Sequence, residues 1–347
     1  MEWVDYARGI ASFLVVQVHV IYGLRDAGME FSTEFNAFVD GWKFFSFNMP
    51  VFFFMSGLFL ARSVQKPLGV FIGDKLRTLA YPYFVWSLLT LLMGTFTAGA
   101  ANSRFGLSWE SVVSLLYRPT FQYWFLFILF PVVIAAALMA KRQIDLRWLF
   151  VPTFLMMLAS ILVEYPSLWQ ESVLFYTVWL SIGVIFGDFT RRTLETISNR
   201  NLLLVLVSTG LVWGSFAFGG EQMRIIWVRP VILAFGLVMV FSIATFLARF
   251  QALGIIRRMG HYSLEVYLAH IIFGSGARII LDRVFNVETT WLHIVLGTIA
   301  AIGVPVAMKI IFDRIGFQYA FTFPARKQKR SHDQSDTKLR PVSSSVA

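Results

Sequence analysis

The sequence predicts an all-α fold, that of a polytopic integral membrane protein with about ten transmembrane helices. Hydrophobic residues make up 57% of the 347 positions and only 14% are charged, well below the quarter or so that is usual in soluble domains. The apolar residues come in long blocks, and runs of about 18 or more are typical of helices that span a bilayer. Strands are disfavoured, because alternation with a period of two is absent and lipid admits only helices or closed barrels.

The apolar blocks predict ten helices, of which the fifth and the sixth are the least distinct, because a polar turn around Tyr165 separates them. In chain order the predicted helices cover 7–23, 44–61, 79–98, 121–140, 147–163, 172–188, 202–219, 228–248, 262–281 and 291–312. The first block could be mistaken for a signal peptide. It lacks a basic start and a small-residue cleavage site, and it contains Arg8 and His19, so we expect a retained helix.

The net charge of +10 is concentrated in alternate loops and in the C-terminal region. In a soluble protein it would suggest a nucleic-acid partner, but short basic loops between apolar helices are topology signals that also contact anionic lipid. We therefore predict a lipid bilayer and no nucleic acid as partner, with both termini in the cytoplasm. The basic loops hold Arg62, Lys66, Lys75 and Arg77; Lys141, Arg142 and Arg147; Arg191, Arg192 and Arg200; and Arg249, Arg257 and Arg258.

Two further features bound the organisation and the chemistry of the chain. Residues 1–320 are predicted to form one transmembrane domain, and 321–347 a basic, Ser-rich, disordered cytoplasmic tail. The chain has no cysteine, which excludes disulfides, a thiol nucleophile and Cys-ligated zinc. The sequence predicts no metal site and no bound cofactor.

The first predicted helix carries a polar stripe formed by Asp5, Arg8, Ser12 and His19. Their spacings of three, four and seven residues put them on one face of a helix. Arg8 and His19 are separated by about three turns, or roughly 16 Å of rise. Ionisable side chains at membrane depth are costly, so we expect this stripe to line a cavity or the interior of the bundle.

Two interpretations of the stripe stay open at this point. In the functional one, His19 is a general base, because imidazole titrates near neutral pH, and Arg8 binds an anionic group such as a phosphate. In the structural one, the histidine forms a hydrogen bond between helices and the arginine anchors the helix at the membrane surface.

Helices two to four carry weaker signals. Asn48 and Pro50 open the second helix, and Ser56 with the following glycine allows close helix packing. Arg77 precedes the third helix, where it could meet phosphates or anchor the helix at the membrane surface. Trp124 opens the fourth helix in a position typical of an interfacial aromatic belt.

The ninth predicted helix carries a second polar face. Ser263, Tyr267 and His270 follow one another at i, i+4 and i+7, so they share a side of the helix. Two helices therefore carry a polar stripe with a histidine. This is more than a helix bundle in lipid requires, although a hydrogen-bonded helix contact would also explain it.

Taken together, these segments resemble the membrane acyltransferase-3 family, nearest its fucose O-acetylase-like branch, over roughly residues 2–320. The family has five motifs in the same order as in this chain. They are R-x10-H at Arg8 to His19, the second-helix motif at Met49 to Gly57, R-x-x-x-x-P-x at Arg77 to Tyr83, W-F-L at Trp124 to Leu126, and G-x-x-S-L-x-x-Y-L-x-H at Gly260 to His270.

The resemblance implies an enzyme that moves an acetyl, or sometimes a succinyl, group from cytoplasmic acyl-CoA to a sugar hydroxyl. Acyl-CoA, most often acetyl-CoA, would be a co-substrate, and the acceptor a surface polysaccharide, a glucan or a lipid-linked saccharide at a bacterial inner membrane. His19 would be the catalytic base and Arg8 essential for donor handling. The residues predicted to bind acyl-CoA or acceptor are Asp5, Ser12, Asn48, Ser56, Arg77, Trp124, Ser263, Tyr267 and His270.

The chain departs from the family pattern at two positions. Many relatives carry histidine where this chain has Asn48, and others carry an R-x-x-R pair where it has Asp74 and Arg77. The main competing interpretation is a transporter or flippase for a saccharide precursor, which would use the same polar stripes as a passage.

Overall fold

A computed structural model of the chain describes residues 1–96, 106–163, 165, 167–220 and 223–324. The described part is helical throughout, and short turns join the helices. The helices are α1 (Glu2–Asp26), α2 (Thr33–Phe44), α3 (Asn48–Ser63), α4 (Leu68–Lys75), α5 (Tyr81–Phe96), α6 (Trp109–Ser114), α7 (Trp124–Lys141), α8 (Phe150–Leu162), α9 (Leu168–Tyr176), α10 (Val178–Thr196), α11 (Asn199–Ala217), α12 (Arg229–Arg249), α13 (Gly254–His261), α14 (Ser263–Arg283) and α15 (Thr290–Arg314).

The predicted all-α, polytopic membrane fold is confirmed. Within the described residues, nine helical segments are long and apolar enough to cross a membrane, and the stretch Leu146–Leu162 is apolar but shorter. This shorter stretch corresponds to the predicted fifth helix. Val20 of α1 meets Gly297 of α15, and Val16 lies in one apolar cluster with Ala301, so α1 and α15 run antiparallel. Helix α1 therefore begins at the end of the bundle where α15 ends. We call this the proximal end, and the opposite one, where α1 ends at Asp26, the distal end.

Helix α1 lies at the centre of the bundle, in contact with α3, α12, α13, α14 and α15. Glycines allow its backbone to approach α13 closely. A Cβ on Gly9 would lie 2.0 Å from the backbone oxygen of Ile256, and one on Gly260 would lie 1.6 Å from that of Asp5. Nearer the distal end, Gln17 donates a 2.8 Å hydrogen bond to Thr298 of α15. The stripe on α1 therefore faces protein on most sides, as the sequence predicted.

Helix α2 was missed by the sequence prediction, which started the second helix at residue 44. The hydropathy pattern does not reveal this helix, because the helix contains charged residues. Side chains elsewhere in the fold form hydrogen bonds with one of those charged residues. Asp40 accepts 2.6 Å hydrogen bonds from Tyr22 and from Arg25 of α1, and Arg25 also donates to the backbone oxygen of Asn36. The helix then breaks before α3, which restarts at Asn48 with a proline in its first turn.

Residues 106–123, which were predicted to be mostly loop, lie along α5 instead of staying at the distal surface. The backbone N–H of Leu107 donates to Thr95 Oγ1 at 2.7 Å, and Tyr83 Oη donates to the backbone oxygen of Leu115 at 2.6 Å. Thr95 and Tyr83 are about 18 Å apart along the helix. The segment thus enters the bundle before α7 begins. Residues 97–105, which include the last two residues of the predicted third helix and the start of the predicted loop, lie outside the described residues.

The chain after α15 packs back onto the start of α5. Trp86 Nε1 donates to the backbone oxygen of Ala320 at 2.9 Å, and the Trp86 ring stacks on that of Phe321, which is buried. Tyr81 Oη donates to the backbone oxygen of Tyr319 at 2.8 Å. Most of the predicted tail, residues 325–347, lies outside the described residues.

Helices α3 and α10 meet at two glycines, which gives a stability prediction. A Cβ on Gly57 would lie 2.0 Å from the backbone oxygen of Leu180, and one on Gly183 would lie 2.2 Å from that of Phe54. We expect Gly57→Ala to destabilise the fold by about 1–3 kcal/mol, because two backbones must separate. The melting temperature of the detergent-solubilised protein measures the effect.

The matched control is Gly303→Ala, since a Cβ on Gly303 in α15 meets no atom within 4 Å. It should leave the melting temperature unchanged or raise it slightly, because glycine in a helix interior costs about 0.5–1 kcal/mol relative to alanine. Equal melting temperatures for the two variants would contradict the proposed close contact of α3 and α10.

Candidate active site

The proximal part of the α1 stripe holds an arginine that has no polar partner among the described residues. Arg8 is half-buried, and its guanidinium lies over the ring of Phe59 in α3, 5.7 Å from the ring centre. Asp5 acts on it electrostatically but forms no ion pair with it. Within the described part of the chain, no hydrogen bond reaches the Arg8 guanidinium. Its N–H donors are therefore available to a ligand, and guanidinium suits phosphate and carboxylate groups.

One turn further along the stripe, Ser12 is buried, with 2% of its surface exposed. Its Oγ has no hydrogen-bond partner among the described residues. A buried hydroxyl normally finds a partner in protein or water. Along the stripe from Arg8 toward His19, neither the Arg8 guanidinium nor the Ser12 hydroxyl therefore has a hydrogen-bond partner among the described residues.

Helices α1 and α14 bring the two predicted polar stripes together. The ring centres of His19 and His270 are 5.1 Å apart, with the planes tilted by 51°. Both rings line a cavity of about 270 Å³ between α1, α5, α14 and α15. No described residue forms a hydrogen bond with the His19 ring. A side chain with a free ring nitrogen at the wall of a cavity is suitable for general acid–base chemistry.

The hydrogen bonds of His270 define its tautomer. Its Nδ1 lies 3.0 Å from the backbone oxygen of Val266 and 2.9 Å from that of Tyr267. Carbonyl oxygens accept and do not donate, so Nδ1 carries the proton. The neutral ring then has a lone pair on Nε2, which is buried without a partner in the described part of the molecule.

Asn48 lies at the depth of His19. Helices α1 and α3 run antiparallel, and Arg8 contacts Phe59. Asn48 lies as many residues from Phe59 along α3 as His19 lies from Arg8 along α1. The rise between the two residues of each pair is therefore equal, which puts Asn48 and His19 at the same depth. The Asn48 side chain is 3% exposed, and its Oδ1 has no partner in the described structure. Asn48 thus lies at the level of His19, but it is not among the residues that line the cavity with His19 and His270.

Tyr267 connects α14 to the start of α7. Its Oη donates a short hydrogen bond to the backbone oxygen of Gln122, and its ring lies 5.7 Å from that of Phe125 and 6.4 Å from that of His270. Gln122 was not predicted as a site residue, yet it is 4% exposed and both polar atoms of its amide lack partners among the described residues. Its position two residues before Trp124, where the W-F-L motif begins, could have indicated it from the sequence.

Four predicted site residues have other surroundings. Ser56 Oγ donates to the backbone oxygen of Phe52 at 2.8 Å, within its own helix. The Trp124 ring stacks on Tyr176, 5.9 Å away, and is not part of the histidine cavity. Ser263 is half-buried at the proximal start of α14. Arg77 lines a separate proximal pocket, together with Asp74, Thr78, Lys309, Asp313 and Gln318.

The cavity lined by His19 and His270, here called the distal cavity, also contains two buried ionisable residues that were not predicted from the sequence. Arg278 of α14 is 7% exposed and His293 of α15 is 1% exposed, and both line the cavity with His19 and His270. Each lies inside a predicted transmembrane helix, so the cost of a polar group at membrane depth was a usable signal. Tyr22, Asp26, Thr90 and Ser275 also line the cavity.

Comparison with known proteins agrees with the motif resemblance. A family model of the acyltransferase-3 type, described as an acyltransferase domain, matches residues 1–310. No curated protein and no solved structure gave a match to the chain. The matched range covers most of the sequence and includes the histidine pair, the α1 stripe and all five motifs. The chain therefore belongs to the membrane acyltransferase-3 family and is an acyltransferase that moves acyl groups other than aminoacyl groups.

Proposed function

We propose that this protein transfers an acetyl group, or alternatively a succinyl group, from cytoplasmic acyl-CoA to a sugar hydroxyl. The acceptor is a surface polysaccharide, a glucan or a lipid-linked saccharide. The observation that carries the proposal is the 5.1 Å pairing of His19 with His270 at the distal cavity. His19 shares helix α1 with Arg8, which lies at the proximal end and has no polar partner in the part of the chain that the structure describes. Donor and acceptor then approach His19 from opposite sides of the membrane.

The donor site in this proposal is proximal. Arg8 binds a CoA phosphate, and Arg77 lies at the same end of the bundle in a pocket with Lys309. The pantetheine arm extends along the α1 stripe, past Ser12, over the roughly 16 Å that separate Arg8 from His19, and Asp5 lies on the proximal side of Arg8. The buried, unpartnered hydroxyl of Ser12 supports this path, because it offers a hydrogen bond to the amides of the arm.

The proposed reaction is direct transfer with His19 as general base. The sugar hydroxyl oxygen attacks the thioester carbonyl carbon while its proton passes to the free ring nitrogen of His19. Asn48 donates an amide N–H to the oxyanion of the tetrahedral intermediate. The C–S bond then breaks, and His19 returns the proton to the CoA thiolate. An O-acyl sugar and free CoA leave, and His19 is neutral again.

The remaining predicted residues have supporting roles in the proposal. Tyr267 holds the start of α7 against α14 by its hydrogen bond to Gln122, and His270 accepts a hydrogen bond from the acceptor. Trp124 and Ser263 shape the surrounding helix contacts. No metal ion and no bound cofactor takes part.

The direct mechanism predicts that Ser56 is dispensable for catalysis. Its hydroxyl already donates to Phe52 within α3, which leaves it poorly placed as a nucleophile. We expect Ser56→Ala to retain the kcat of the wild type, measured by CoA release in nanodiscs. An acylated Ser56 peptide in mass spectrometry, or a loss of kcat in a well-folded Ser56→Ala, would instead indicate an acyl-enzyme.

The experiment that tests the proposed function measures acyl-CoA consumption. The purified protein in nanodiscs is given radiolabelled acetyl-CoA or succinyl-CoA and the alkali-deacylated envelope glycans of its source cells. We expect CoA release together with label on the glycan. A flippase would ignore the thioester, so folded protein that releases no CoA from either donor contradicts the proposal.

We further propose that the protein resides in a bacterial inner membrane with its proximal end in the cytoplasm. The loops rich in arginine and lysine all lie at that end, as the positive-inside rule requires of cytoplasmic loops. Because the chain has no cysteine, single cysteines can report its orientation. An impermeant maleimide added to intact spheroplasts should label Glu30→Cys and spare Gln65→Cys, and the opposite pattern would reverse the orientation.

A further inference from the structure

His293, in the first turns of α15, is a second buried histidine with a defined tautomer. Its Nε2 lies 2.7 Å from the backbone oxygen of Val287. A carbonyl oxygen only accepts, so Nε2 carries the proton and the neutral ring has its lone pair on Nδ1. This Nδ1 is buried and has no partner among the described residues, and the ring lines the distal cavity. The cavity therefore presents a fixed hydrogen-bond acceptor at His293.

In His270, which lines the same cavity, the two ring nitrogens have the opposite roles. Its Nδ1 donates to backbone oxygens, and its buried Nε2 is the acceptor. Each histidine donates a hydrogen bond to the backbone from its protonated ring nitrogen. Rotation of either ring would break that hydrogen bond, so the direction of the lone pair is fixed. A buried acceptor without a partner costs free energy unless a ligand or a water supplies a donor.

The two acceptors lie at different depths in the membrane. Gly274 of α14 and Gly297 of α15 both meet Val20 of α1, since a Cβ on either glycine would lie within 3.4–3.6 Å of its methyl groups. His270 lies one turn proximal to Gly274, and His293 one turn distal to Gly297. The rise along the helices therefore separates the two histidines by about 12 Å.

Lone-pair acceptors select ligands with hydroxyl donors, and two acceptors about two helical turns apart suit a ligand that is longer than a single sugar ring. We propose that the distal cavity recognises two sugar units of the acceptor. His270 binds a hydroxyl on the unit that is acylated, and His293 binds a hydroxyl on the next unit outward. The inference rests on the proposed function and specifies its acceptor as an oligosaccharide or longer glycan, with His293 as a specificity-determining residue.

The test uses a substitution that removes only the acceptor atom of His293. In His293→Gln the side-chain amide nitrogen can take the place of Nε2 and donate to Val287. The amide oxygen then points away from the side of the ring that carried Nδ1, so no acceptor remains at the Nδ1 position. His261→Gln is the matched control, because His261 is an exposed histidine at the proximal end. Thermal unfolding of the three proteins first establishes that they are equally folded.

The acceptors are alkali-deacylated envelope glycans of the source cells, hydrolysed by mild acid and separated into monosaccharides and longer saccharides. The wild type should show a higher kcat/KM for the longer fractions. His293→Gln should lower that value about fivefold, as expected for one lost hydrogen bond. Its kcat/KM for monosaccharides and its KM for acetyl-CoA should match those of His261→Gln and the wild type.

The outcomes separate this inference from the proposed function. If the wild type acylates the glycans and His293→Gln keeps the same preference for longer saccharides, the two-unit site is wrong, and a bound water satisfies Nδ1. If the wild type acylates no fraction, the proposed function itself fails.

An independent measurement does not need turnover. The sequence contains five histidines, so imidazole nitrogen NMR of the labelled protein in nanodiscs is tractable. The His293 resonances should show a proton on Nε2, and the longer glycans should shift the Nδ1 signal. A proton found on Nδ1 would overturn the proposal.

Discussion

Replacement of His19 by alanine should lower kcat for acyl transfer by about two to four orders of magnitude, the usual contribution of a general base. His19 lines the distal cavity beside His270, and no described residue occupies its ring nitrogens. The variant cannot accept the proton of the attacking hydroxyl. Acetyl-CoA binding should persist, because Arg8 lies about 16 Å away on the same helix. CoA release and label transfer in nanodiscs measure the loss.

The matched control is His261→Ala, which removes an exposed histidine at the proximal end and should leave kcat unchanged. His270→Asn distinguishes the role of His270 from that of His19. Asparagine can still donate to the backbone in place of Nδ1, but it has no acceptor at the position of Nε2. We expect it mainly to raise KM for the acceptor. Full transfer by a folded His19→Ala would rule out the assignment of His19 as the base.

Replacement of Arg8 by alanine should weaken acetyl-CoA binding roughly 10- to 100-fold, the range expected for a lost charge-assisted hydrogen bond. The Arg8 guanidinium lies over Phe59 and has no polar partner in the described part of the chain. Its removal therefore leaves no protein carboxylate unpaired, and the fold should tolerate it. Equilibrium binding of labelled acetyl-CoA in nanodiscs gives the dissociation constant.

Arg191→Ala is the control for charge at the same end of the bundle. Arg191 already forms an ion pair with Glu195 at 3.1 Å, so its guanidinium is less available to bind an anionic group of a ligand. Its loss should leave the affinity for acetyl-CoA unchanged. Arg8→Lys should restore part of the binding, because lysine keeps the charge but not the two-pronged geometry of guanidinium. Equal affinities of the wild type and Arg8→Ala for acetyl-CoA would contradict the assignment of the donor site to Arg8 on α1.

The sequence by itself determined the fold class and the α1 stripe. Long apolar blocks specify spanning helices, because the backbone must satisfy its hydrogen bonds internally within lipid. Arg8, Ser12 and His19 recur at helical spacing, so their common face followed from the helical period alone. The motifs in α1, α3, α7 and α14 identified the family, and the family model confirms it over residues 1–310.

Hydropathy could not reveal segments whose polar groups find their partners far away in the chain. Helix α2 carries Asp40, which Arg25 and Tyr22 of α1 neutralise and bind. Residues 106–120 were predicted to be a loop because they are too polar for a spanning helix. In the fold, Tyr83 donates a hydrogen bond to Leu115 and Thr95 accepts one from Leu107. Long-range partners of this kind have no local signature.

Only the tertiary structure decided which polar stripes meet. His19 and His270 lie on helices distant in sequence, and glycine contacts between α1, α13, α14 and α15 bring those helices close enough for the rings to approach. The same packing places His293 and Arg278 at the wall of one cavity. Helical periodicity fixes the face on which a residue lies, whereas the neighbour of that face depends on how the helices pack.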